Sequence, residues 1–504
     1  MIYLWVVMRG KIQKIVNKAV QIIGSKYFFW FIIALFIFQA MWIAFSFRYP
    51  MIYDEYYHFG LIEYFSHQWL PWIKDQPNSL DQYGSLARNP FLFYHYLMSF
   101  PFRIISLFTN NLAMQVISMR IVNIGLFAGG LVIFAKLFKS MKIQPVFRNI
   151  ALLFFVLLPA TPFVAATVNY DNAIFLLTAL FMFVGLKIIQ NEKMQWYNYV
   201  LLVLIGMAGS LMKTSFLPIF AAGFAYIFIR LIIKQKNNII RDAIKSFKPS
   251  SIWLKVVILV PFVIVGFIFA ERFAVNIVKY HSLSPSCERL MTKERCLANI
   301  IELRADDLKK NRKGIPDQDP QYVLRWSSDM IFTLLWTGSS LDKTDQVEFI
   351  NPLPVIYTVV FIGSIISLAA ITYSFEKFKK IPGFWFVIVI IACYIISLFY
   401  VNISAYYEFY QPVSIQGRYL LPLLPVIMLF ALLGINNIFH RIRFIKVPLL
   451  LIVFVLILSG AGVITHIVRS RNSWYWDNST VRQINVSARN TLSPLVQQWW
   501  YDRE

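Results

Sequence analysis

Charge is scarce in this sequence. Asp, Glu, Lys and Arg make up 14% of its 504 residues, about half their share in soluble domains, which speaks against an ordinary water-soluble fold. Acidic residues are the scarcer kind, 25 against 48 basic ones, for a net charge of +23. So large a positive balance fits nucleic acid only if the basic residues share a face. They lie instead in short clusters between apolar runs, the distribution that orientation in a membrane produces, and no nucleic-acid partner is expected. Cysteine is rare, with three residues. Cys393 sits in an apolar run and reads as packing. Cys287 and Cys296 share one polar segment, where a disulfide can form if the segment lies outside the cytoplasm and the two approach. The two-residue alternation of a membrane β-barrel is missing. So are an internal repeat, a low-complexity linker and a recognisable cleavable signal.

What the sequence has in abundance is apolar length. Hydrophobic residues make up 58% of it, with a mean hydropathy of +0.60. Runs of about 17–25 apolar residues recur, the length that crosses a bilayer as a helix. The fold class expected is an all-α integral membrane protein with eleven spans, at 27–47, 118–138, 149–168, 172–190, 198–212, 217–233, 253–273, 353–373, 384–401, 418–438 and 447–466. Pro101 and Arg103 interrupt the apolar stretch 91–108, which reads as interfacial or re-entrant. With residues 1–26 as a basic amphipathic cytoplasmic segment, every short basic turn falls inside: Lys136 to Arg148, Lys187 and Lys193, Arg230 to Lys248, Lys377 to Lys380, and Arg441 to Lys446. A transmembrane module 27–273 then carries the first outer loop, 48–117. A large outer loop 274–352, a set of helices 353–466 and an outer tail 467–504 follow. Asn402, Asn478 and Asn485 begin Asn-x-Ser/Thr sequons.

Under this topology the unusual polar residues gather on one side. "YDEYYHFG" at 53–60 places Asp54, Glu55 and His58 in the first outer loop. If 54–70 is helical, Asp54 and His58 share a face, and Glu55 points about 100° aside. "TVNYDN" brings Asn169 and Asp171 to a tight outer turn, "MKTSFLP" brings Lys213, and "QGRYLLPLLP" brings Arg418; Arg120 opens the second span. Each also has a structural reading. Asp54 can simply solvate a loop, Asn169 and Asp171 can cap a helix, and Lys213 and Arg418 can snorkel to lipid phosphates. Against the last reading, positive charge is disfavoured on the outer face, and ionisable groups at membrane depth usually mark a site.

"DEYYHF" resembles the Asp-Glu-x-x-His-Phe signature of a bacterial multispanning family of unknown function grouped with the GT-C glycosyltransferases. "NPFLFYHYL", "MRIVNIGLFAG", "ATVNYDNAIFLLTAL", "KTSFLP" and "QGRYLLPLLP" are similar to its later motifs in order, with Asn89 and Phe91 departing from the pattern. The resemblance covers about residues 30–435. It implies a GT-C-like enzyme of the bacterial plasma membrane that moves a sugar from a polyprenyl-phosphate donor to a glycan or lipid-linked acceptor on the outer face. In that reading the catalytic residues are Asp54 as base, with Glu55 and His58. Lys213, Arg418 and Arg120 hold the donor phosphate, and Asn169, Asp171, Gln416 and Tyr419 contact sugar. A divalent metal is left open, because Asp54, Glu55, His58 and Asp171 are ligand types, although their spacing is unlike a closed zinc site. The competing readings are a transporter or flippase of lipid-linked sugar, and a surface-polysaccharide polymerase or ligase.

Overall fold

Backbone immersed in hydrocarbon must satisfy its own hydrogen bonds, so the apolar runs fold as helices. The computed structural model describes residues 14, 16–191, 193–235, 239–312, 322–340, 347–352, 354–439 and 462–500. Helix α1, Lys26–Ser46, is capped by the Ser25 side chain on Phe28 N. After a turn come α2, Glu55–Ser66, and α3, Phe93–Ser106. The chain returns through α4, Leu112–Ser140, capped by Asn111. Next are α5 (Pro145–Leu157), α6 (Ala160–Ala165), α7 (Asp171–Gln190), α8 (Trp196–Met212), α9 (Phe216–Gln235) and α10 (Ile239–Phe247). Helix α11, Ile252–Phe269, runs on through a π turn at Ala270–Ala274 to Tyr280. Then follow α12 (Ile300–Lys310), α13 (Tyr322–Phe332), an antiparallel pair β1 (Thr337–Ser340) and β2 (Val347–Ile350), α14 (Pro354–Tyr373), α15 (Phe384–Phe409), α16 (Leu424–Ile438), α17 (Val463–Arg469) and α18 (Ser479–Trp500).

Seven helices among the described residues are long and apolar enough to cross a membrane: α1, α4, α7, α9, α11 with its extension, α14 and α15. Helices α5, α8 and α16 are shorter apolar ones. This is a multi-pass, helical membrane protein. Two expected spans take a different form. The run 149–168 is broken where Leu158 turns extended and Pro159 follows; the proline has no N–H to continue the ladder. The run 418–438 becomes helical only at Leu424, and Gly417–Leu420 forms a separate 3-10 turn. Most of the last expected span, 447–466, lies outside the described residues, as do most of the expected cytoplasmic segment 1–26 and Arg441, Arg443 and Lys446. Cys393 is exposed on α15 rather than packed inside.

Helices α4 and α7 pack closely. Phe127 and Phe175 stack with ring centres 4.0 Å apart, and a Cβ on Gly130 would sit 2.4 Å from the Phe175 ring, so only glycine permits this approach. The first polar segment is clasped by the end of α11 and by the polar segment that follows it. Arg295 pairs with Asp81 at 2.7 Å, Arg88 with Glu271 at 2.6 Å, and Arg272 donates to Ala87 O at 2.7 Å. The hydrogen bonds from Arg295 hold the Asp81 carboxyl below the usual carboxylate range. Cys287 and Cys296 form a disulfide. The tail returns to the end of α1, where Trp476 N donates to Ser46 O at 3.1 Å and Arg48 N to Trp474 O at 2.9 Å. Asn402 and Asn485 are buried and accept from Trp326 and Trp42.

The alternation of basic turns makes a direct prediction. In a Cys393→Ser background, an impermeant thiol reagent applied from outside should label a cysteine at Ser479 and miss one at Lys248, both exposed positions. Labelling of Lys248→Cys alone would invert the topology.

Candidate active site

The "YDEYYHFG" turn is held in an unusual backbone shape. Tyr53 and Asp54 both lie in the left-handed region, with φ of 71° and 63°. Such residues cost of order 1–3 kcal/mol each and persist where their surroundings over-determine them. Here Asn169 Nδ2 donates to Tyr53 O at 2.6 Å, and Asn169 Oδ1 accepts from Asp171 N at 2.7 Å. His58 N closes the first turn of α2 on Asp54 O at 3.0 Å. Asn169 is fully buried with both ends of its amide on backbone. It clamps the two turns together, and the expected sugar contact by Asn169 does not fit this placement.

Glu55 and Arg120 also depart from expectation. Neither side chain has any exposed surface. Arg120 Nε and Nη2 donate to the two Glu55 oxygens at 2.8 and 2.7 Å. Those oxygens also accept from Met51 N at 2.7 Å and Val168 N at 3.1 Å. Arg120 Nη1 donates to Ala44 O and Phe47 O at 2.9 and 2.6 Å. Trp476 covers the guanidinium, 5.6 Å from the ring centre. The carboxylate accepts from four donors, and the guanidinium spends four of its five N–H groups on Glu55 and two carbonyls. This pair ties α1, α2, α4 and the turn before α7 into one unit, a buried placement unlike the exposed one expected of a group that meets substrate.

The remaining charges converge. Arg418 Nη2 donates to Asp54 Oδ2 at 2.8 Å, and the Lys213 ammonium pairs with Asp171 Oδ1. The two pairs face each other, with Arg418 Nε 4.0 Å from Asp171 Oδ2, too far for a hydrogen bond. Aromatic rings frame them: Lys213 Nζ lies 4.5 Å from the centres of Tyr170 and Tyr419, and the Arg418 guanidinium 4.8 Å from Tyr53 and 5.4 Å from Tyr419. Arg418, Asp171 and Lys213 are buried, whereas 43% of the Asp54 side chain is exposed. Several buried atoms here have no hydrogen-bond partner: Arg418 Nε and Nη1, Asp171 Oδ2 and Gln416 Oε1. Buried polar groups are nearly always satisfied, so these donors and acceptors call for a polar partner here, water or ligand.

Gly417 sets Arg418 in position. Its N–H donates to Thr333 Oγ1 at 2.6 Å, and an added Cβ would meet Met330 O at 2.3 Å and Leu334 N at 2.8 Å. Gly417→Ala must therefore push the turn off the end of α13. Overpacking of this kind costs about 1–3 kcal/mol. Lower thermal stability together with lost ligand binding is expected from a melting curve and a binding isotherm on the same variant. Wild-type behaviour in both would show that the turn is not held this way.

Asp54 precedes α2 in a left-handed conformation, so helical four-residue spacing does not by itself relate its side chain to that of His58. His58 Nδ1 lies 2.9 Å from His95 Nε2, the rings stacked 5.1 Å apart. The His58 ring also meets Tyr170 at 4.5 Å, and its Nε2 has no partner. Burial, then His95 and the cations of Arg418 and Lys213, pushes His58 well below the usual histidine range; burial takes His95 down to about 3. Both imidazoles are neutral at neutral pH. His95, Tyr53, Tyr170 and Gly417 were not singled out as site residues in the sequence. The signal available was proximity to motifs, since each adjoins or lies within a quoted one. Among the described residues no three His, Cys, Asp or Glu side chains converge to hold a metal.

No family model matches this chain, and no curated protein matches it; the motif-defined family stands as a resemblance. Three solved structures are similar. The oligosaccharyltransferase of Archaeoglobus fulgidus, tethered with an acceptor peptide, shares 14% identity over 92% of this chain with a TM-score of 0.46, and this chain spans 59% of its length. ArnT from Cupriavidus metallidurans in the apo state shares 12% identity, covering 92% of this chain and 70% of its own, with a TM-score of 0.44. The A. fulgidus oligosaccharyltransferase AglB with an inhibitory peptide and a dolichol-phosphate shares 11% identity, covering 92% and 60%, with a TM-score of 0.41.

Proposed function

We propose that this protein is a GT-C-type glycosyltransferase of the bacterial plasma membrane. It moves a sugar from a polyprenyl-phosphate donor to a cell-surface glycan or lipid-linked acceptor, with inversion, on the outer face. One observation carries the reading: a half-exposed carboxylate, Asp54, held at 2.8 Å by a buried guanidinium whose Nε and Nη1 have no partner. The order of the sequence motifs supports it. A polyprenyl phosphate is a stable leaving group, so catalysis needs positive charge where phosphate charge develops and a base within reach of the acceptor hydroxyl. Arg418 supplies a planar fork and Lys213 a point charge. Asp54, the accessible carboxylate, is the base. Asp171 holds Lys213 and, with Gln416, offers a free acceptor oxygen for sugar hydroxyls. Tyr419 lies under both cations. Neutral His58 orients substrate from the side of Tyr170.

A transporter of lipid-linked sugar places its polar groups near the bilayer midplane on paired broken helices. Here the charged groups of the site come from helix ends, Asp54 before α2, Asp171 opening α7, Lys213 before α9 and Arg418 before α16, which favours chemistry over passage. The test is binding of a polyprenyl-phosphate sugar to Lys213→Met and Arg418→Met. Each should lose about 1.5–3 kcal/mol of donor affinity, the worth of a charged hydrogen bond. Unchanged affinity in both would remove the phosphate site and this reading with it.

A further inference from the structure

Two histidines on neighbouring helices meet beside the charged cluster. His58 on α2 and His95 on α3 are both buried, with His58 Nδ1 2.9 Å from His95 Nε2. The ring planes lie 15° apart, so an N–H of one ring can point at a lone pair of the other. Tyr57 and Tyr94 each meet both imidazoles edge to face. A neutral imidazole has one N–H and one lone pair, so placing one proton sets the rest of the chain. His95 Nδ1 lacks a hydrogen bond of ordinary geometry, but the Leu92 carbonyl still favours a proton on this ring. His95 Nε2 faces His58, so that proton belongs on Nδ1. His95 Nε2 then accepts, His58 Nδ1 donates, and His58 Nε2 is left as a bare acceptor. Arg418 and Lys213 disfavour added positive charge on His58, which keeps that lone pair free.

We propose, on the transferase reading, that His95 is a positioning residue: it holds His58 in the tautomer whose Nε2 accepts a hydrogen bond from a hydroxyl of the donor sugar. The half-buried Tyr170 ring stands between this nitrogen and the charged cluster. Its centre lies 4.5 Å from that of His58 and 4.5 Å from Lys213 Nζ. A swing of this one ring opens Nε2 to the space beside Lys213 and Arg418. A buried acceptor without a donor is costly, and a hydroxyl delivered to it removes that cost. A lipid phosphate that carries a sugar brings such a hydroxyl next to the phosphate. A bare lipid phosphate does not.

The test is lipid binding to the purified full-length protein in one detergent. The probes are undecaprenyl phosphate and a panel of undecaprenyl-phosphate neutral hexoses. The wild type should hold at least one hexose-bearing lipid about tenfold tighter than the bare phosphate, the factor that one good hydrogen bond supplies. His58→Phe and His95→Phe should lose that preference yet keep wild-type affinity for the bare phosphate, which also shows that they fold. His95→Gln should restore the preference, because its amide oxygen can accept from His58 Nδ1–H. NMR of the six histidines, isotope-labelled, adds a direct view of the proton. Wild-type His58 should carry it on Nδ1, and His95→Phe should populate the other tautomer. A proton on His58 Nε2 in the wild type, an unaltered preference in His95→Phe, or equal loss of both lipids in the variants would overturn the proposal. Binding of neither lipid by the wild type would remove the transferase reading first, and the sugar contact with it.

Discussion

Asp54→Asn is expected to lower single-turnover sugar transfer about 10²–10⁴-fold, the usual worth of a positioned general base, with donor binding and melting temperature near wild type. The substitution keeps size and the hydrogen bond to Arg418 but removes the proton acceptor. Stability should hold because the side chain is 43% exposed and makes no cap on α2. Donor affinity should hold because Arg418 Nε and Nη1 and the Lys213 ammonium belong to other turns. A rapid-quench assay with prebound donor separates the two terms. Near-normal turnover would mean that another group takes the acceptor proton.

Glu55→Gln, one residue away, should do the reverse. It strips the charge that compensates Arg120 in a site with no exposed surface. Breaking one side of a buried ion pair costs about 3–5 kcal/mol, because the remaining charge is left uncompensated. Arg120→Met should cost a similar amount. The double variant Glu55→Gln/Arg120→Met should recover part of the loss, since it leaves no buried charge alone. These changes are read as melting temperatures in one detergent. If Glu55→Gln keeps wild-type stability yet abolishes transfer, Glu55 is the catalytic carboxylate and the assignment to Asp54 is wrong.

The contrast between these neighbours shows how far the sequence could be read. The helix over 54–70 was legible in part, since α2 spans Glu55–Ser66; Asp54 lies before it in the left-handed region, where helical spacing does not apply. The apolar runs were legible because hydrocarbon leaves a backbone few options. The partners were not. Glu55 meets Arg120 across 65 residues and Asp54 meets Arg418 across 364. No local periodicity carries such separations. Arg120 and Arg418 look alike in sequence, each at the end of an apolar run. The break at Pro159 and the separate turn at Gly417–Leu420 were hidden for a related reason. Mean hydropathy does not distinguish a helix from an apolar turn packed against a neighbour. His95 was obscured because its contact with His58 spans 37 residues.

The central claim is that the paired charges of Asp54, Arg418, Asp171 and Lys213 serve sugar transfer from a lipid phosphate. The most direct measurement is incubation of the purified protein with a panel of defined polyprenyl-phosphate sugars and extracted envelope acceptors, with chromatography of the lipid products. Acceptor-dependent release of free polyprenyl phosphate is predicted with at least one donor, lost in Arg418→Met and Asp54→Asn. Donor recovered intact in every case, while reconstituted vesicles carry it from one leaflet to the other, would contradict the account and make the protein a transporter.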